Sequence, residues 1–281
     1  MLLGGTVAGM WKTPGEWEKL LIASRFRAVT APFDCNTPKE LTKEYCDIVK
    51  RNGVTIAEAG VWKNLMDPIP ENAAKNLAFA KGQLSLAEEW DIPCCVNIAG
   101  TPSAIGWDAA DRRNFTLEVY EKTVALIREI IDEVQPTRAF YSIEPMPWMV
   151  PDSPDCYLQL IRDVDRKQFA AHMDFVNMIS CPRRALAPEA FIEECFQKLS
   201  SYIRSTHLKD SRMDPMRLTA VMEECSPGEG TLDFEQVLCI MDKYLPKDAP
   251  VLLEHMSTFE EYERAYDAVA AAAKKASIAI G

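Results

Sequence analysis

The chain has 281 residues, 48% of them hydrophobic, which is enough for a large core. Its formal net charge of −11, from 31 Lys and Arg against 42 Asp and Glu, argues against nucleic acid as a partner, because an acidic surface repels phosphates unless a strong basic patch intervenes. No window supplies the ~18 apolar residues that span a bilayer, and the opening MLLGGTVAGMW has no basic leader, so a soluble, cytoplasmic protein that does not engage membranes is expected.

In chain order, short apolar runs at 2–7, 26–31, 54–59, 92–98, 138–144, 169–174, 202–207 and 250–254 read as strands. Between them lie longer stretches with apolar residues at helical spacing. The first is PGEWEKLLIASR. The second, PKELTKEYCDIVKRNG, has Pro38 at its start and Gly53 just past its end, the asymmetry expected of a helix. Then come ENAAKNLAFAKGQLSLAEEW, FTLEVYEKTVALIREIIDEV, PDCYLQLIRDV, APEAFIEECFQKL, LDFEQVLCIMDKYL and FEEYERAYDAVAAAAKKA. Eight strand–helix units of roughly 35 residues each predict a parallel sheet closed into a single (β/α)8 TIM barrel over residues 1–281. An open doubly wound sheet is the alternative. Its glycine-rich phosphate turn is not matched by GGTVAG at 4–9, whose spacing is wrong and which no such helix start follows. The segments 99–114 and 208–232 are long enough to cover a barrel mouth. Nine scattered cysteines, odd in number and without a CxxC pair, read as reduced thiols.

The three histidines all fall beside carboxylates where strands should end. His172 precedes Asp174 by two residues in AAHMDFVN, His207 lies in STHLKD, and His255 follows Glu254 in VLLEHM. FYSIEPMPW places Glu144 at the end of an earlier strand. Chemistry in a TIM barrel sits at the C-terminal ends of the strands, so Glu144, Asp174, His207 and Glu254 form a candidate ligand set for one divalent ion. Three carboxylates and an imidazole suit Mn²⁺, the first expectation, as well as Mg²⁺ or Co²⁺; Zn²⁺ and Fe²⁺ are compatible. Strand alternation puts His172 on the face of Asp174, one layer beneath it, as a group that tunes Asp174 or carries a proton. His255 is expected to point away or to lie in the loop.

Other candidates surround this set. Asn97, ending the fourth strand, and Glu58, ending the third, are expected to bind substrate hydroxyls. Trp148 and Met146 would wall the substrate, with Trp107 a weaker candidate. Lys209 is expected to point away from the inward face of His207, and either to bend in as an aid to substrate binding or to pair with Asp210. Gly228 and Gly230 fit a tight turn over the site.

SIEPMPW, HMDFVN, HLKD, the PGEG segment at 227–230 and LLEHM come in one order along residues 138–256. In that order they resemble the xylose isomerase-like TIM-barrel superfamily of sugar isomerases, ketose 3-epimerases, inosose dehydratase and endonuclease IV relatives. The resemblance implies Glu144, Asp174, His207 and Glu254 as metal ligands, with Glu144 and Glu254 also acting as acid and base. Ketose 3-epimerases carry a histidine three residues after the ligand aspartate; this chain has Asn177, a further substrate-binding candidate. The segments EPMPWMVPDSPDCYLQLI, HMDFVNMISCPRR and PGEGTLDF look more like the catalytic α subunit of bacterial C-glycoside deglycosidases. That likeness implies a lyase acting on 3-oxo-glycosides, with a small β-rich partner subunit in a hetero-oligomer. A ketose 3-epimerase or sugar (phosphate) isomerase is the alternative, and a non-catalytic sugar-binding subunit a further one. Endonuclease activity is excluded, since it would need more histidines and a basic DNA face.

Overall fold

The structure, a computed structural model, describes residues 1–281. Its first seven strands are β1 (Leu2–Gly5), β2 (Ala28–Thr30), β3 (Thr55–Gly60), β4 (Cys94–Asn97), β5 (Phe140–Ile143), β6 (Phe169–Met173) and β7 (Ile203–Leu208). An antiparallel hairpin, β8 (Asp210–Met213) and β9 (Met222–Cys225), precedes the last strand, β10 (Pro250–Leu253). All strands but the hairpin pair in parallel, in the order β1-β10-β7-β6-β5-β4-β3-β2, and β2 returns to β1. The predicted closed (β/α)8 barrel is therefore what forms.

Helices α1 (Pro14–Ser24), α2 (Lys39–Arg51), α3 (Pro70–Glu89), α4 (Leu117–Val134), α5 (Pro154–Val164), α6 (Pro182–Leu186), α7 (Pro188–Leu199), α8 (Phe234–Tyr244) and α9 (Phe259–Lys275) complete the fold. Their starts are chemically marked. Thr13 with Glu16 and Thr258 with Glu261 make reciprocal capping boxes on α1 and α9. Pro14, Pro70, Pro154 and Pro188 open helices at a position where the missing N–H costs nothing. A continuous cluster of 59 buried apolar residues joins the sheet to its helices. A separate small cluster, Ala28, Ala57 and Leu252, fills part of the barrel.

Most predicted strands end one or two residues early in the structure, and the reason is functional. Glu144, Asp174 and Glu254 each stand one residue past a strand, where the backbone is free to turn their carboxylates inward. A bulge in β7 (Ala171 faces Ile203, while His172 faces Ser205) shifts the register just before His207. Two elements were not foreseen, the short α6 and the β8–β9 hairpin, the latter within the expected covering segment 208–232. All nine cysteines are unpaired, and no helix is long and apolar enough to cross a membrane.

Barrel closure at β1–β2 tolerates no side chain at Gly4, where a Cβ would stand 1.6 Å from the Ala28 carbonyl oxygen. Gly4→Ala should cost about 3 kcal/mol through forced separation of the two strands. Chemical denaturation of the purified variant checks this; stability equal to the parent would mean the strands can shift freely.

Candidate metal centre

Four donors converge at the C-terminal end of the barrel. Glu144 follows β5, Asp174 follows β6, His207 lies near the end of β7, and Glu254 follows β10. One ligand atom from each lies within 4.8 Å of all the others. His207 Nδ1 is 3.1 Å from Glu144 Oε1 and 3.0 Å from Glu254 Oε1. Glu144 and His207 are each only 4% exposed and Asp174 is fully buried, so water screens these charges poorly. This donor set fits a divalent cation: hard oxygens, one borderline nitrogen, and more negative charge than one imidazole can offset.

The other face of His207 is fixed from below. Glu58 Oε1 lies 3.0 Å from His207 Nε2, while Glu58 Oε2 accepts from His172 Nε2 at 3.1 Å and from Ser205 Oγ at 2.9 Å. A proton held on Nε2 toward Glu58 leaves Nδ1 with its lone pair facing the other ligands, the arrangement a metal-binding histidine needs. Burial opposes ionisation of Glu58, but the His207 and His172 side chains hold its carboxyl far below the usual range. The carboxylate is thus bonded to three protein side chains, and it also borders the cavity that opens above the donors.

His172 sits one layer beneath Asp174, as alternation predicts, with its ring edge-on to His207 at 4.1 Å between centroids. It is fully buried and does not line the cavity, so substrate cannot reach it and the expected proton-carrier role is not available to it. Asn97 is also turned away. Its amide clamps the backbone of Lys63 in both directions, at 3.1 and 3.0 Å, and it acts as a loop cap.

Lys209 contradicts the expected orientation. It lies two residues beyond His207, so alternation puts it on the same inward face. Its ammonium is buried 2.8 Å from Asp174 Oδ2, 2.9 Å from Glu254 Oε2 and 2.9 Å from Glu224 Oε2. It neither pairs with Asp210 nor lines the cavity. Asp210 instead accepts backbone N–H groups from Ser211, Gly228, Gly230 and Leu232, and so ties down the predicted tight turn. A side chain at Gly230 would meet Asp210 Oδ1 at 2.2 Å.

Glu224, delivered by the hairpin, and His255 were not anticipated as parts of the site. His255 adopts a left-handed backbone (φ 61°), which turns its ring back across Glu254 Oε1 at 3.0 Å and Glu224 Oε1 at 2.5 Å. Its hydrogen bonds to Glu224 and Glu254 raise its pKa to about 10. Burial would push the Glu254 carboxyl up, but the His207 and Lys209 charges hold it well below the usual range. Asp174 goes the other way: burial pushes its carboxyl up to about 7 against the opposing pull of Lys209. Burial alone would lower His207, yet Glu254, Glu58 and Glu144 together lift it well above the ordinary histidine value.

Above the four donors opens a cavity of about 1170 Å³. Glu144, His207, Glu254 and Asn177 line it, with Trp11, Trp62, Trp107 and Trp148 and with Met146 among its apolar walls. Trp148 and Met146 thus occupy the predicted wall. Trp148 is anchored by its indole N–H to the Asp108 carbonyl at 2.7 Å. The Asn177 amide donates to the Pro145 carbonyl at 3.0 Å and fixes the turn after Glu144. Trp62, in the left-handed region at φ 48°, tilts toward His207 with 6.3 Å between ring centroids.

With the fold and the donor geometry in place, comparison with known proteins is informative. The family profile described as xylose isomerase-like TIM barrel matches residues 24–276. The chain belongs to this family. No curated protein matches the chain. Among solved structures it resembles a xylose isomerase-like TIM-barrel protein from Mycobacterium smegmatis in complex with magnesium, at 18% identity and TM-score 0.67, covering 93% of this chain and 90% of that one. It also resembles a D-psicose 3-epimerase in the presence of D-fructose, at 15% identity and TM-score 0.71, covering 98% and 99%. A 3-keto-D-glucoside 4-epimerase from E. coli matches at 16% identity and TM-score 0.67, again covering 98% and 99%. At these identities the likeness establishes the shared barrel.

Two outcomes follow for the metal centre. A cation that takes His207 Nδ1 displaces a proton from it, and another wherever Asp174 is still protonated. Affinity should therefore rise with pH between 6 and 8, by up to about tenfold per unit for each proton displaced. Calorimetry of Mn²⁺ binding in buffers of different ionisation enthalpy reads the protons directly, and a pH-independent affinity would contradict the assignment. Glu58→Gln keeps all four donors but loosens His207, and should weaken Mn²⁺ roughly tenfold to a hundredfold. An unchanged dissociation constant would show that Glu58 merely fills space.

Proposed function

We propose that the protein is a metal-dependent sugar epimerase that removes and returns a proton at the carbon beside a sugar carbonyl. One observation carries this reading: two glutamates from separate strands, Glu144 and Glu254, flank the same nitrogen of His207 at the floor of a sugar-accessible cavity. When bound, a divalent ion supplies Lewis-acid polarisation of a carbonyl oxygen, which lowers the barrier to deprotonating the neighbouring carbon.

The chain's own groups divide the remaining labour. Glu144 has His207 as its only ion-pair partner, whereas Glu254 is held by His207, Lys209 and His255. Glu144 is thus the freer carboxylate to accept a proton from carbon. A two-base exchange returns a different proton to the opposite face by way of Glu254, whose Oε1 is bonded to the protonated His255 that supplies it, inverting the centre. The pair then begins the next turnover reversed, or resets by exchange with solvent. Tryptophan faces shed water from the cavity and hold the sugar's apolar faces. The D-psicose 3-epimerase and the 3-keto-D-glucoside 4-epimerase that share the fold support this outcome by analogy of architecture.

A second reading is favoured by cavity size and by Asn177. The cavity exceeds the range of about 300–1,000 Å³ typical of sites for compact ligands, so a glycoside with a bulky aglycone fits it better than a free hexose. On a 3-oxo-C-glycoside, removal of the C2 proton lets the C1–C bond break. Its electron pair leaves with the aglycone carbon, which takes up a proton, and a C1–C2 double bond remains. In this reading a small β-rich partner subunit joins the chain.

Incubating Mn²⁺-loaded protein in D₂O with D-fructose and with a 3-oxo-C-glucoside, then chelating the metal and recording NMR spectra, separates the readings. The expected result is deuterium at the carbon beside the carbonyl together with a new epimer, and loss of both in Asp174→Asn, which should bind no metal. Release of the aglycone would favour the lyase. Loaded protein that exchanges no proton in either sugar would defeat both readings.

A further inference from the structure

Lys209 is the one fully buried ammonium at the centre, and neither the ligand set nor the proton exchange uses it. Three carboxylate oxygens, of Asp174, Glu254 and Glu224, lie 2.8–2.9 Å from its nitrogen, and that of Glu254 accepts its hydrogen bond. Two of these acids belong to the metal set. Glu254 presents Oε2 to the ammonium and Oε1 to His207 Nδ1. Asp174 presents Oδ2 to the ammonium, while its Oδ1 accepts from the backbone N–H of Asn177 at 3.0 Å. Each carboxylate therefore has one oxygen against a cation that belongs to the protein.

That geometry bears on which ion fits. Mg²⁺ and Mn²⁺ suit six-coordinate sites in which carboxylates ligate through one oxygen, whereas Ca²⁺ takes six to eight oxygens and gains from carboxylates that ligate through both. We propose that Lys209 is a specificity-determining residue of the metal centre: by claiming one oxygen of Asp174 and one of Glu254, it limits both to single-oxygen ligation and so favours Mn²⁺ or Mg²⁺ over Ca²⁺. The inference rests on the metal-centre reading. Charge supports it as well, because a divalent ion and the ammonium together match the three ligand carboxylates, and the exposed His255 offsets Glu224. A lysine that only held the loop together would leave the ranking of cations unaltered.

The test is calorimetric titration of metal-free, full-length protein with Mn²⁺ and with Ca²⁺. The parent should bind Mn²⁺ roughly tenfold or more tightly than Ca²⁺. In Lys209→Met both ions should bind more tightly, since a positive charge has gone, but Ca²⁺ should gain more, so that the Mn²⁺ preference falls by roughly tenfold. Glu224→Gln keeps the ammonium on both ligands and should retain the parental preference. Should Lys209→Met fail to fold, Lys209→Met combined with Glu224→Gln removes one carboxylate along with the ammonium and is read in the same way. An unchanged preference in the lysine variants, or a parent that binds Ca²⁺ as tightly as Mn²⁺, overturns the inference while leaving the metal centre standing. A parent that binds neither ion removes the metal centre and the inference together.

Discussion

Like charges crowded into a buried cup are the constraint on which the rest of this structure depends. Glu144, Asp174 and Glu254 meet where burial strips away water, with Glu58 directly below and Glu224 at the rim. At an effective dielectric of about 20, two unit charges 4 Å apart repel by about 4 kcal/mol, so a cluster of acids persists only with cations among them. His207, Lys209 and His255 supply part of that charge, each touching Glu254. Their pKa values shift in the directions this requires, with both histidines raised and Glu254 lowered. Asp174 is the exception: buried between like charges, it retains its proton most readily. A divalent cation resolves the same conflict more completely than protons do, which is why the donor set and its affinity for metal are two aspects of one electrostatic fact.

The barrel makes that crowding affordable by bracing every element around it. Asp210 gathers four backbone N–H groups to hold the 228–232 turn, and Asn97 clamps Lys63. Asn114 bonds Ala109, Trp148 and Thr101, joining the 99–114 segment to the turn after β5. Such polar groups pull irregular backbone into fixed positions, so that ligands just past the strand ends are placed as well as if they lay within them. The left-handed conformations of Trp62 and His255 fall at this rim, where local strain is tolerated because the surroundings over-determine it.

Much of this was legible in the sequence, for physical reasons that also mark its limits. The eight apolar runs and their amphipathic partners prescribe the barrel, because period and length reflect burial directly. The four candidate donors converge because scarce histidines and strand-end acids obey the same rule of position. Alternation placed His172 correctly beneath Asp174. Applied to Lys209, two positions from His207, alternation gives the inward face, so the expectation that it points away departs from the rule itself. Asn97 looks like a substrate ligand because it ends a strand, yet its partner, the Lys63 backbone, comes from elsewhere in the chain; Glu58 does border the cavity, but its bonds to His172 and His207 are invisible in sequence. Glu224 reads in sequence as one acid in a polar loop; only the hairpin's register brings it to Lys209.

The division between the layer around Glu58 and the cavity above it decides what kind of enzyme the barrel can be. Below, Glu58, His172 and Ser205 form a buried polar layer whose members bond to one another and to His207 and set the orientation of the imidazole; of the three, Glu58 also borders the cavity. Above, Glu144 and Glu254 face the cavity, and beyond them tryptophan and methionine side chains share the walls with Asp108, Glu223, Glu224 and His255. Proton abstraction thereby falls to the floor, while a rim in which indoles and thioethers stand beside Glu224 and His255 judges size, shape and polarity. A change of substrate in such a site requires altering only the rim, and a change from epimerisation to bond cleavage requires only a substrate whose neighbouring carbon carries a group able to leave. The floor would be the same in either case, because removal of a proton beside a polarised carbonyl is the step the two reactions share.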